Sequence, residues 1–83
     1  MSRNHIVLSI GRLCREAGLT INSYMRVSSL SATTLHRWRQ QPEKMSDDSI
    51  RAMYDGAGRV IGAMRELQST LADALPADDA RRQ

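Results

Sequence analysis

Between Ser29 and Trp38 the chain reads Ser-Leu-Ser-Ala-Thr-Thr-Leu-His-Arg-Trp. Ser31 is a residue type that caps helices, because its hydroxyl can accept a bond from an otherwise unpaired amide of the first turn. At helical spacing, Leu35 and Trp38 fall on one face, while Thr33, His36 and Arg37 fall on others. The guanidinium of Arg37 offers a planar fork of donors. His36 donates or accepts according to its tautomer, and Thr33 carries both a hydroxyl and a methyl. A helix anchored on one side and polar and cationic on the other has the makeup of one that enters a DNA groove. No nucleophile–base pair, phosphate loop or metal-ligand set accompanies it, so no enzymatic activity, cofactor or metal is expected.

Charge points the same way. Net charge is only +3, but residues 1–44 hold seven cations against two anions, a net of +5, and residues 45–83 five cations against seven anions, a net of −2. Such a gradient suits a molecule with one end turned to a polyanion. With 41% apolar and 25% charged residues the chain is in the globular range, and 83 residues make one small domain with a marginal core. No apolar run approaches the roughly 20 residues of a membrane span, and Ile6-Val7-Leu8 is too short for a signal core. A cytoplasmic protein with no membrane partner is expected. The single Cys14 agrees, since it has no partner for an internal disulfide, and it reads as a small core residue.

The elements that would position the polar helix all read as helical, which predicts an all-α, compact bundle of four to five helices. Ile6, Ile10, Leu13, Cys14 and Ala17 make a buried stripe on a first helix over residues 4–17, stopped by Gly18. Thr20 caps a second over residues 21–28, with Ile21, Tyr24 and Met25 inward. Leu30 plugs the turn, a third helix spans residues 32–40, and Pro42 ends it. Ser46-Asp47-Asp48-Ser49 opens a further helix with a cap and two carboxylates at its positive end. Its apolar positions Ile50, Met53, Ala57, Val60, Met64, Leu67, Leu71 and Ala74 alternate steps of three and four, a heptad seam too long for the small bundle to cover. A second subunit is expected to meet it, with Val60, Ile61, Met64, Leu67 and Leu71 at the dimer interface. Gly56, Gly58 and Gly62 each cost about 1 kcal/mol inside a helix. They favour a break near residues 56–58, although they could instead admit a close helix approach. The division expected is a bundle over residues 1–55, an amphipathic dimerisation helix over 56–75 and a frayed polar tail over 76–83.

The ordered set Ile10-x-x-Leu13, Gly18-Leu19-Thr20, Tyr24-Met25, Ser29-Leu30-Ser31, Thr34-Leu35-x-Arg37-Trp38, with Ser46 opening a further helix, resembles the lambda-repressor-like, Cro-type helix-turn-helix family. The resemblance covers about half the chain. It implies that the third helix lies in the major groove and the second crosses the backbone. Carried over residue by residue, it makes Ala32, Thr33, His36 and Arg37 base-contacting, with Gln40 at the margin. Arg37 would grip guanine O6 and N7, while Thr33 and Ala32 would meet base edges or a thymine methyl. It makes Ser23, Arg26, Ser31, Arg39, Gln41 and Lys44 phosphate-contacting, residues that position without specifying sequence. The chain departs from the family at three points: Ile21 where glutamine opens the second helix, Met25 where alanine is usual, and Ser29 where the turn has glycine. A second register, Ile10-Gly11-x-Leu13-Cys14-x-x-Ala17-Gly18-Leu19-Thr20, resembles MerR-type regulators and would make Asn22, Met25 and Arg26 the base readers.

The expected function is that of a sequence-specific, double-stranded DNA-binding regulator. In its fullest form it is a homodimeric repressor of a palindromic operator, of a size that suits a phage or other mobile element. The alternative is a protein-interaction module or antitoxin whose heptad helix binds a protein partner.

Overall fold

Each helix begins where a hydroxyl can cap it. The Ser2 Oγ accepts from the His5 amide, the Thr20 Oγ1 from the Ser23 amide and the Ser46 Oγ from the Ser49 amide, each at 3.1 Å. The computed structural model describes residues 2–76. Among them lie four helices, α1 (Arg3–Glu16), α2 (Ile21–Val27), α3 (Ala32–Gln40) and α4 (Asp47–Ala74), with a single 3-10 turn at Pro42–Lys44 and no strand. The all-α bundle expected from periodicity is the observed architecture. Of the tail expected over 76–83, residues 77–83 lie outside the described residues.

Six buried side chains make the core: Val7 from α1, Met25 from α2, Leu35 and Trp38 from α3, Met45 from the linker and Met53 from α4. Ile6, Ile10, Ile21, Tyr24, Leu30 and Ile50 pack around them. Trp38 and Leu35 are the anchors that their spacing suggested. Met25 is fully buried at the centre, so the unbranched side chain fills the space between α2 and its neighbours. Cys14 is buried, and burial pushes its thiol pKa up, as suits a structural cysteine.

Periodicity misjudged two parts of the core. Leu13 and Ala17, assigned to the buried stripe of α1, are exposed. Val7 and Met45 are buried in their place. The apolar face of α1 is wider than the bundle can cover. Val7 points at the core and Cys14, seven residues on, is buried beside it, while Leu13 and Ala17 are exposed and, with one side of Cys14, line an open groove toward α4.

The break expected near residues 56–58 does not occur; α4 is one helix of 28 residues. The reason at Gly56 is packing. A Cβ there would stand 2.3 Å from the Ser28 Oγ and 3.2 Å from the Ser28 Cα, so only glycine lets α4 pass this close to the end of α2. Gly58 and Gly62 meet nothing within 4 Å, and the long hydrogen-bonded ladder carries their cost. The boundary drawn between residues 55 and 56 therefore falls inside a continuous helix. Its first half packs on the bundle. Every residue from Ile61 to Leu71 is exposed, and this half projects, which gives the molecule its extents of 51 × 20 × 20 Å.

Two bonds hold α4 against α2. The Tyr24 hydroxyl donates to the Met53 carbonyl at 2.6 Å, and Arg59 donates to the Val27 carbonyl at 2.8 Å. Burial raises the Tyr24 pKa above its ordinary value. The Ser28 hydroxyl beside it is buried and meets no partner with hydrogen-bond geometry. An exposed ion pair, Arg3 to Asp47 at 2.6 Å, joins the starts of α1 and α4, a contact worth little in water.

Candidate nucleic-acid interface

The turn between α2 and α3 fixes how the polar helix is presented. Ser29 has φ 61°, the left-handed region. Its amide bonds the Arg26 carbonyl at 3.0 Å, and the Leu30 amide bonds the Met25 carbonyl at 2.8 Å. This is the six-to-one and five-to-two pattern of a Schellman stop, with half-buried Leu30 as its apolar contact. The same pattern ends α1, where Gly18 (φ 74°) bonds Arg15 and Leu19 bonds Cys14. Serine thus occupies at residue 29 the conformation that glycine occupies at residue 18.

Ser31 stands at the N-cap of α3 with extended backbone, but its side chain makes no cap bond. The expected cap is corrected in that respect. The Ser31 Oγ lies 2.9 Å from both Thr33 Oγ1 and Thr34 Oγ1, so three hydroxyls cluster at the start of the helix. With Leu35 and Trp38 turned to the core, Ala32, Thr33, His36, Arg37 and Gln40 are all exposed. The Gln40 amide nitrogen lies 3.5 Å from His36 Nε2, one turn apart on this surface. Among the described residues Arg37 makes no ion pair, so its guanidinium is uncommitted. The face carries hydroxyl, imidazole, guanidinium and amide groups within three turns, a set able to hydrogen-bond base edges but without an activated nucleophile.

The residues expected at phosphates divide. Ser23, Arg26, Ser31, Gln41 and Lys44 are exposed on α2, the turn and the segment after α3. The Ser23 hydroxyl also receives a bond from Thr20 at 2.7 Å. Arg39 is exposed as well, on the flank of α3. Its guanidinium folds toward α1, 4.0 Å from where a Cβ on Gly11 would be. There it lines a cleft of about 410 Å³ with Asn4, Arg12 and Arg15. This cationic cleft on the flank of α3 was not singled out from the sequence. Arg12 and Arg15, three residues apart and so on one face of α1 away from its apolar stripe, were the signal for it. Arg12 also pairs with Glu16 at 3.3 Å on the exposed surface.

The residues of the rival register fit base reading less well. Asn22 and Arg26 are exposed, but Met25 is fully buried and presents nothing to a partner. Of the residues expected at a dimer interface, Val60 is half-buried, and Ile61, Met64, Leu67 and Leu71 are exposed along the projecting half of α4. Among the described residues no group of three His, Cys, Asp or Glu side chains converges as a metal site would require. No helix there is long and apolar enough to cross a membrane.

No family model matches the chain, and neither a curated protein nor a solved structure matches it.

Proposed function

We propose that the chain is a sequence-specific, double-stranded DNA-binding regulator of the lambda-repressor-like helix-turn-helix kind, acting in the cytoplasm as a homodimeric repressor of a near-palindromic operator. The observation that carries this reading is the two-sided construction of α3. Leu35 and Trp38 are buried beneath it, and Thr33, His36, Arg37 and Gln40 are exposed above it, next to a tight turn from α2. In this reading α3 enters the major groove, Arg37 grips guanine O6 and N7, and Thr33 and Ala32 meet a base edge or a thymine methyl. Ser23, Arg26, Ser31, Gln41 and Lys44 bond phosphates on either side. The basic character of residues 1–44 supports it, because it draws the bundle rather than the projecting helix to the polyanion. Repression follows by occlusion, with occupancy set through the monomer–dimer equilibrium.

Titrating duplex DNA at several salt concentrations with two variants tests the assignment. Arg37→Ala is expected to cost about 1–3 kcal/mol on the preferred site and to relax preference at one base pair. Lys44→Ala is expected to weaken all duplexes alike and to lower the salt slope by about 1. Parent-like binding by Arg37→Ala contradicts the role given to α3.

A second reading, a protein-interaction module or antitoxin, is favoured by one observation: the exposed apolar side chains Met64, Leu67 and Leu71 on α4 and Leu75 at its C-cap. These suit a protein partner as well as a second copy.

A further inference from the structure

Among the described residues, two apolar surfaces have no cover. The first is a groove of about 540 Å³ between α1 and the first half of α4, lined by Ile6, Ile10, Leu13, Tyr54, Ala57 and Ile61 among others. Its lining is almost wholly apolar, and Tyr54 at its rim is 71% exposed. The second is the stripe on the projecting half of α4, where Leu71 is 54% exposed. The groove runs from Ile6 to Ala17 along α1 and from Ile50 to Ile61 along α4; the stripe runs from Met64 to Leu75. Each of the three segments rises about 18 Å. The unfilled groove and the unsheltered stripe thus match in length and in chemistry.

We propose that the groove is filled by the projecting half of α4 from a second copy of this chain. The two α4 helices run antiparallel, and each seats its stripe beside the partner's α1. The proposal rests on the homodimer part of the reading above and is independent of DNA binding. The exchange is reciprocal, so one two-fold axis near residue 62 covers both surfaces of both chains. The seven exposed side chains Leu13, Tyr54, Ile61, Met64, Leu67, Leu71 and Leu75 present on the order of 700 Å², close to the ~800 Å² per partner of a standard interface.

A parallel pair covers less. In register, it sets each stripe against the partner's stripe, while each groove, with α1 along one side, meets only the partner's groove. Only the stripe would be shared, and the α1 groove would stay open. The flanking positions Tyr54, Ile61, Gln68, Ala63 and Thr70 carry no charges that could fix a parallel register. Antiparallel helices also set opposite dipole ends side by side.

Cross-linking without DNA tests the arrangement. In a Cys14→Ala background, Tyr54→Cys and Leu71→Cys chains are purified separately, mixed and treated with a short bismaleimide. The mixture is expected to give a covalent dimer and each variant alone none, because two Leu71 positions lie about 26 Å apart in the antiparallel pair. Self-linking of Leu71→Cys overturns the antiparallel arrangement. Sedimentation of the unmodified parent gives the second measurement. A dimer that Leu71→Asp converts to monomer, with helicity intact by circular dichroism, is expected. A parent that stays monomeric at 100 µM or so, or a dimer that Leu71→Asp leaves unchanged, overturns the proposal. Either result would assign the groove to another occupant. Failure to bind DNA would leave all of these readouts in place.

Discussion

At the scale of single residues, Ser29 shows how the chain holds its polar helix in place. A serine at φ 61° carries a Cβ penalty of about 1 kcal/mol that glycine avoids. The penalty persists because the turn is over-determined: two backbone bonds close it, and Leu30 packs behind it. Ser29→Gly is therefore expected to stabilise the fold by about 0.5 kcal/mol, the relief of strain less the added freedom of the unfolded chain. Ser29→Val is expected to cost more than about 1 kcal/mol, since a β-branched side chain tolerates positive φ poorly. Thermal denaturation at fixed protein concentration checks both. A loss of stability in Ser29→Gly would mean that the serine hydroxyl, rather than the backbone, secures the turn. The chemistry of the candidate site was largely legible at this scale. The residue types of Thr33, His36, Arg37 and Gln40, with Leu35 and Trp38 beneath, give a two-sided helix from spacing alone, and all six lie as that spacing required. The direction of Arg39 was not legible. Its angular position lies between the core and the polar face, and a long side chain there is placed by its neighbour, here the small Gly11 of α1.

At the scale of elements, local signals set the boundaries well and packing set what they could not. Thr20, Ser46, Gly18 and Pro42 mark helix ends by mechanisms confined to a few residues, and the elements begin or stop beside them. The inward side of α1 needed tertiary knowledge, because its apolar face is wide enough to serve two surfaces, one buried and one open. Met45 was missed for a similar reason: an apolar residue in a linker has no period to announce it. The glycines of α4 make the same point. Propensity alone treats Gly56, Gly58 and Gly62 alike, whereas their surroundings differ. Gly56→Ala is expected to lose about 1–3 kcal/mol, because the new methyl forces Ser28 and the end of α2 aside. Gly58→Ala and Gly62→Ala are each expected to gain about 0.5–1 kcal/mol of helix propensity in open space. Urea denaturation of the three variants at one concentration separates them. Equal effects would mean that α4 does not pass as close to α2 as the Ser28 contact implies.

At the scale of the whole molecule, a basic bundle and a projecting apolar helix divide the work that the proposed function requires. The bundle offers one short polar face, and a single small face makes few base contacts. Two such faces joined rigidly read a longer site, and α4 is the only element among the described residues long enough to join them. The exposed length of α4 supports an assembly, and the cations of α2 and α3, which make no ion pair among the described residues, support a nucleic-acid partner. The central claim joins these two, and selecting binding sites from a random duplex pool at stated salt tests it most directly. The parent is expected to enrich one near-palindromic sequence whose half-sites lie about one helical turn, roughly 34 Å, apart. Arg37→Ala, selected from the same pool, is expected to lose preference at one base pair in each half-site. A pool that shows no enrichment, or the same consensus from both proteins, would contradict it.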